Sequence, residues 1–213
     1  MSSKPPPIET EIKIHWSGSA DEANRRIEES GYRLVESRTL ESDQLFDLAE
    51  NVLWASGRLL RLRHLLPDGA DEASSKSSPR STVTYKGPGM SARYKSREEI
   101  EFDVSDPAAF AQVLDRLGYV PKFSYQKYRT KFGSADESGV ITIDETPIGV
   151  FLELEGPEYW IDATAKRLGF DASAYSTASY SSLYREYRTQ NPGSPVNMIF
   201  ENKPGLSPEG KRP

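Results

Sequence analysis

The sequence predicts an α+β fold in which about eight mostly antiparallel strands close into a β-barrel with a polar lumen and a jacket of helices. Three observations predict it. In at least six alternating segments, charged residues of both signs share one parity: Glu9, Glu11 and Lys13; Arg61 and Arg63; Lys86 beside Thr84; Arg97, Glu99 and Glu101; Lys127, Arg129 and Lys131; Glu153 and Glu155. Residues two apart in a strand point the same way, so each set lies on one face. The opposite parity is apolar, as at Ile12, Leu60, Leu62, Ile100, Phe102, Ile141 and Ile143. If the charged face turns inward, these residues face outward and need an outer layer of helices, which the amphipathic segments supply. Closure also removes exposed strand edges.

The elements follow in order. Residues 8–16 read as a strand, and Ser19-Ala20-Asp21 opens a helix that stops near Ser30, before Gly31. Tyr32 to Asp47 reads as a long strand or hairpin, then a turn at Glu50-Asn51 and a strand from Arg58 to Leu66. Residues 67–80 are too polar to bury anything and read as a mobile loop. Strands are expected at Thr82–Lys86 and Arg97–Val104. Asp106-Pro107 starts a helix whose Phe110, Val113, Leu114 and Leu117 recur at helical spacing before Gly118. Strands near 122–132, 139–146 and 149–155 come next, then a helix from Pro157 to Leu168. Tyr180, Leu183, Tyr184 and Tyr187 mark a last amphipathic helix. The expected division is a disordered start at 1–7, one domain at 8–188 and an irregular tail at 189–213, with three alternatives for the tail and its Val196–Phe200: docking on the barrel, docking on a partner chain, or disorder.

Composition narrows the ligand classes. The chain has 213 residues, 36% hydrophobic and 28% charged, enough for a sizeable core. A formal net charge of −5 argues against broad nucleic-acid binding, which needs an excess of Lys and Arg. No apolar run reaches membrane-span length and the start lacks a signal-like apolar middle, so cytoplasmic residence without membrane association is expected. There is no cysteine, which excludes disulfides and thiolate chemistry, and His15 and His64 are too few for a histidine metal site. Any metal would be held by carboxylates, which favours Mg²⁺, Mn²⁺ or Ca²⁺.

By parity the lumen receives Lys13, Arg61, Arg63, Lys86, Arg97, Lys127 and Arg129 together with Glu9, Glu11, Glu99, Glu101, Asp144, Glu153 and Glu155. Buried ion pairs are a poor device for stability alone, since desolvation can exceed their attraction. A polyphosphate with a divalent cation would use both signs: guanidinium forks and lysines for phosphate oxygens, carboxylates for the metal. A solvated strand face is the ordinary explanation of any single triplet, but not of the ordered set. Lys131 and His15 sit near strand ends and read as surface positions, His64 as facing the jacket, and Arg93 and Lys95 as part of a solvated loop. Trp54 and Trp160 read as packing residues rather than stacking partners for a base.

At these residues the chain resembles the CYTH proteins, the triphosphate tunnel metalloenzymes. Glu9-Thr10-Glu11-Ile12-Lys13 resembles the family's Glu-x-Glu-x-Lys. Leu60-Arg61-Leu62-Arg63, the lysine strand at Lys86, Arg97 to Glu101, Lys127 to Arg129, Asp144 and Gly149 to Glu155 then follow in the family's order, so the resemblance covers roughly residues 8–188. It implies an eight-stranded antiparallel tunnel and a metal-dependent phosphoryl-transfer enzyme. It implies catalytic roles for Glu9, Glu11, Lys13 and Lys86. Lys13, Arg61, Arg63, Lys86, Arg97, Lys127 and Arg129 would bind the triphosphate. Glu9, Glu11, Asp144, Glu153 and Glu155 would hold Mg²⁺ or Mn²⁺, with Glu99 and Glu101 orienting the arginines.

Details such as Lys86-Gly87-Pro88-Gly89 and the Ser179–Tyr184 segment resemble class IV adenylate cyclases, which convert ATP to cyclic AMP and pyrophosphate. A triphosphatase acting on thiamine triphosphate, a nucleotide or inorganic tripolyphosphate is the alternative, and a non-catalytic polyphosphate- or nucleotide-binding module the second. Where many relatives carry Tyr-Phe-Asp-Thr-Pro, this chain has Leu45-Phe46-Asp47-Leu48-Ala49. The missing tyrosine counts against efficient tripolyphosphate hydrolysis more than against triphosphate binding. The expected partner is a triphosphate-bearing small molecule such as ATP, and a homodimer is possible.

Overall fold

The computed structural model describes residues 8–67, 80–90, 93–133 and 139–201. The expectations for 1–7, for 68–79 and for the tail beyond residue 201 lie outside the described residues. The element order is β1 (Ile8–Trp16), α1 (Ala20–Glu29), β2 (Arg33–Asp47), α2 (Val52–Ala55), β3 (Leu59–Pro67), β4 (Arg80–Lys86), β5 (Lys95–Asp103), α3 (Pro107–Arg116), β6 (Val120–Gly133), β7 (Val140–Thr146), β8 (Gly149–Glu155), α4 (Glu158–Leu168) and α5 (Tyr180–Gln190). The eight strands close into a barrel in the order β1-β5-β4-β3-β2-β6-β7-β8, and every neighbouring pair is antiparallel. The segment 33–47 is one long strand and not a hairpin. Among the described residues no helix is long and apolar enough to cross a membrane.

The barrel is turned inside out relative to an ordinary core. Outward Ile12, Ile14, Ile141, Ile143, Leu152 and Leu154 are buried against Ala23 and Ile27 of α1 and Trp160, Ile161, Ala165 and Leu168 of α4. Each such side chain contributes about 1.5–3 kcal/mol relative to exposure. α1 starts where Ser19 and Glu22 form a reciprocal capping box. α4 can approach closely because Gly139 faces the Trp160 ring: a Cβ there would lie 2.3 Å from ring carbons. On another side of the barrel, Leu114 of α3 packs on Phe46, Leu62 and Val83 of β2, β3 and β4.

Among the described residues the jacket leaves part of the barrel uncovered, contrary to expectation. Ile100 and Phe102 of β5 are 45% and 53% exposed, and Ile8 is 63% exposed. The reason lies in where the helices go: α3 turns back onto β2–β4, α1 and α4 cover β1, β7 and β8, and the outer face of β5 falls between them. The tail docks on its own barrel. β7 pairs only with Tyr128–Gly133 of β6, and Met198 takes the adjoining edge, accepting from Gln126 N at 2.8 Å and donating to Ser124 O at 3.0 Å. Met198 is fully buried beside Tyr125, Phe151, Tyr180 and Tyr184.

Candidate functional site

The inward parity encloses a cavity of about 330 Å³ lined by Glu9, Glu11, Lys13, Arg61, Arg63, Lys86, Arg97, Glu99, Glu101, Lys127, Arg129, Glu153 and Glu155, among others. All the expected site residues except Asp144 line it directly. Strand order sorts the charges. β3, β2 and β6 are neighbours and β2 stands opposite β1 in the ring. One wall therefore carries Arg61, Arg63, Lys127 and Arg129, while the facing wall of β8, β1 and β5 carries Glu9, Glu11, Glu99, Glu153 and Glu155, with Lys13 among them.

The cationic wall is held from behind by buried carboxylates. Asp43 accepts from Arg63 Nε at 2.7 Å and Nη2 at 2.8 Å, and Glu41 lies 2.8 Å from Arg63 Nη1. Asp144, fully buried, accepts from Lys127 Nζ at 2.7 Å, from Arg129 Nε and Nη2 at 2.6 Å each, and from the Tyr180 hydroxyl at 2.6 Å. These bidentate pairs fix the guanidinium planes before any ligand arrives. Burial raises the Glu41 carboxyl, but Arg63, Lys127 and Arg129 outweigh it and bring it down to about 2. Arg61 is held by Thr84 at 2.8 Å and Glu101 at 3.2 Å through Nη2, while its Nε is buried with no hydrogen-bond partner. The buried Nε of Arg97 also has none, and Arg97 makes no ion pair among the described residues. Buried donors of this kind are costly unless a ligand answers them.

The carboxylate wall is crowded. Lys13 lies 2.9 Å from Glu153 and 3.3 Å from Glu11, Lys95 lies 2.9 Å from Glu11, and Lys86 lies 2.6 Å from Glu9 and also pairs with Glu99. Arg129 reaches across to Glu153. Burial, then a hydrogen bond to Glu9, raises the Glu99 carboxyl to about 7. Burial and the neighbouring Glu9 raise Glu155 to about 8. Glu9 takes the ionised role, brought down to about 2 against its burial by Glu99 and Lys86. Burial and Lys13 lower the Lys95 ammonium to about 8.

Hard oxygen donors that must share protons and lysines match the chemistry of a site for a hard divalent cation. As they stand, no three acidic or histidine side chains among the described residues are arranged to hold a metal. Glu9 shares hydrogen bonds with both Glu99 and Glu155. Of the five residues expected to bind metal, Asp144, on β7 beside β8, is engaged by Lys127, Arg129 and the Tyr180 hydroxyl, and Arg129 Nη2 bridges it to Glu153.

Sequence reasoning missed several residues here. Glu41 and Asp43 escaped because Ser42 and Gln44 make the outer face of β2 polar too, so its parity could not be read. Lys95 is inside, at the start of β5, rather than in a loop; Arg93 is outside on Asp162. Lys131 lines the tunnel and pairs with Glu36 at 2.9 Å instead of standing free on the surface. His15 is exposed, as read, and His64 bonds the Ser81 hydroxyl on the neighbouring strand. Trp160 packs in the core and Trp54, 48% exposed, at the surface. The Asp47 carboxylate accepts from the backbone of Leu48, Leu53 and Trp54 at 2.7–2.9 Å, so this aspartate builds α2 and Leu45 lines the mouth.

A closed antiparallel barrel with an ion-lined tunnel is the class that this fold and lumen define. Residues 7–165 match the CYTH domain, and the chain belongs to that family. A protein of Methanocaldococcus jannaschii described as a putative adenylate cyclase is 28% identical over 151 residues, 70% of this chain and 76% of its own. Among solved structures, a Pyrococcus horikoshii protein superposes with a TM-score of 0.69 at 23% identity, over 84% of this chain and 99% of that one. A Hippeastrum protein, described as a putative adenylyl cyclase with a dominant triphosphatase activity, gives 0.57 at 16% identity over 84% and 95%. At these identities the structural likenesses show a common fold.

Proposed function

We propose that the protein is a metal-dependent phosphoryl-transfer enzyme that takes the triphosphate of ATP, or of a similar organic triphosphate, into the tunnel and converts ATP to cyclic AMP and pyrophosphate. The observation that carries this is the pair of facing walls: fixed guanidinium groups opposite a carboxylate cluster, with Arg97 and Arg61 still holding unanswered buried donors. A phosphate chain lying between the walls meets both.

The residues divide the work. Arg61, Arg63, Lys127 and Arg129 grip the non-bridging oxygens from one side, and Arg97, Lys86 and Lys13 from the other. Asp43, Glu41 and Asp144 keep the forks aimed, so alignment is built in before binding and little reorganisation is needed at reaction. Glu9, Glu99 and Glu155, with Glu11 and Glu153 adjacent, would hold Mg²⁺ or Mn²⁺. When bound, such a cation supplies charge neutralisation on the phosphate oxygens. In cyclisation the ribose 3′-hydroxyl gives up its proton to solvent as its oxygen bonds to the α-phosphorus, the bond from that phosphorus to the bridging oxygen breaks, and the electron pair leaves with pyrophosphate.

One observation favours a second reading. The tunnel continues into a polar chamber of about 270 Å³ at its other end, sharing Glu36, Arg63, Glu101, Arg129 and Lys131 with it. Water could reach a terminal phosphate from there, and attack on the γ-phosphorus would release orthophosphate, a triphosphatase reaction. Incubation of the protein with ATP and Mn²⁺ or Mg²⁺, with products resolved, separates the two. Cyclic AMP with pyrophosphate is the expected outcome. Orthophosphate and ADP alone would replace it with hydrolysis, and no product with tight binding would leave a binding module.

A further inference from the structure

The segment that follows α4 is tied to the barrel beside two tunnel lysines, one on each wall. β5 pairs with Ile8–Glu11 of β1, and Ser176 takes the adjoining edge, accepting from Lys13 N and donating to Lys13 O at 2.8 Å each. Met198 holds β6 next to Lys127, through Ser124 and Gln126. Between these ties runs α5, opened by Ser179, whose Oγ accepts from Ser182 N. Its first residue, Tyr180, is buried and lines the tunnel. The Tyr180 ring packs on Phe151 and Tyr125, with centroids 5.7 and 6.0 Å away. Two ammonium groups lie over that ring: Lys127 Nζ is 4.9 Å and Lys13 Nζ 5.2 Å from its centroid. The Tyr180 hydroxyl donates to Asp144, which also accepts from Lys127.

We infer that Tyr180 is a positioning residue for the phosphoryl chemistry, its ring fixing the Lys13 and Lys127 ammonium groups relative to each other before a triphosphate enters. The inference rests on the reading of the tunnel as a triphosphate site. The arginines need no such device, because bidentate carboxylates already orient their planar forks. A lysine ammonium is a compact charge on a flexible stem, so an ion pair sets its distance but hardly its direction. Lys13 can follow Glu11 or Glu153, and Lys127 can follow Asp144 or Glu41. Those carboxylates are also shared with Lys95 and Arg129, so the pairs alone leave each lysine more than one place to go. An aromatic face attracts both ammonium groups at once, most strongly where water is excluded. One ring against two lysines makes them a unit, and the ties at Ser176 and Met198 hold that ring at a fixed level in the barrel.

The test compares Tyr180→Phe, which keeps the ring face, with Tyr180→Leu, which removes it, in the full chain. One readout is the ring-current shift of the Lys13 and Lys127 ε-methylene signals in carbon–proton NMR spectra of the free protein, assigned with Lys13→Arg and Lys127→Arg. The other is affinity for tripolyphosphate with Mn²⁺ by calorimetric titration. Both lysine signals should lie upfield in the wild type and in Tyr180→Phe and lose that shift in Tyr180→Leu. Affinity should fall at least about tenfold in Tyr180→Leu and less than about threefold in Tyr180→Phe. Leu114→Ala, which opens a cavity under α3 away from the tunnel, should lower stability yet leave affinity within about threefold, separating lost positioning from general loosening. Unshifted lysine signals in the wild type, or equal weakening in the two Tyr180 variants, would overturn the assignment. Should Tyr180→Leu not fold, the other two proteins still decide it, since unshifted signals in either overturn it. If tripolyphosphate binds the wild type and Tyr180→Leu alike, the positioning role fails alone; if it does not bind the wild type, the tunnel reading fails and takes this one with it.

Discussion

At the scale of single residues, two arginine environments make opposite predictions. Arg97 lines the cavity without a protein hydrogen bond to its Nε or an ion pair, so Arg97→Ala should change stability by no more than about 0.5 kcal/mol. It should nonetheless weaken triphosphate binding by about 1.5–3 kcal/mol, read by calorimetric titration. Asp144 is the reverse: it satisfies Lys127, Arg129 and Tyr180 at once. Asp144→Ala should lower stability by about 3–5 kcal/mol in denaturant unfolding, because it strands buried cations. The carboxylate cluster sets a pH dependence. Glu99 and Glu155 hold their protons up to about 7 and about 8 in the folded chain against an ordinary 4.5. Between about pH 5 and pH 8 the folded state therefore binds protons that the unfolded state releases, and stability falls as pH rises through that window. Melting curves of metal-free protein should show the fall, and Mn²⁺ should flatten it; a rise across the same window would contradict the crowded-carboxylate description.

At the scale of elements, the helices explain both what the sequence disclosed and what it hid. The apolar parity of β1, β7 and β8 was readable because Ile12, Ile141, Ile143, Leu152 and Leu154 alternate with charges, and α1 and α4 cover them. The identical pattern in β5 gave the wrong expectation for Ile100 and Phe102, since alternation reports a face and not which helix reaches it. Local pattern also could not show that Asp47 gathers three backbone N–H groups into α2, or that Met198 completes the edge of β6. Those contacts join segments through backbone geometry, which leaves little periodic signal. Gly139 lies against the Trp160 ring, and Gly139→Ala should overpack the α4 interface and cost about 1–3 kcal/mol in thermal unfolding. An unchanged melting temperature would mean that α4 is not seated as described.

At the scale of the whole molecule, the barrel places its apolar material outside and its charges inside, and strand order gives the charges an arrangement that composition cannot. Most of the lumen was legible because parity in β1, β3, β5, β6 and β8 is unambiguous. The opposition of the two walls was not, because it depends on β2 closing beside β6 and across from β1. That opposition underlies the proposed function, in which a phosphate chain would lie between guanidinium groups on β3 and β6 and carboxylates on β1, β5 and β8. The most direct test is a crystal structure with Mn²⁺ and a non-hydrolysable ATP analogue, with the metal located by its anomalous signal. The phosphates should lie inside the barrel against Arg61, Arg63, Lys127 and Arg129, with the manganese peak on the side of Glu9, Glu99 and Glu155. Phosphates bound outside the tunnel, or manganese on the arginine wall, would contradict the account.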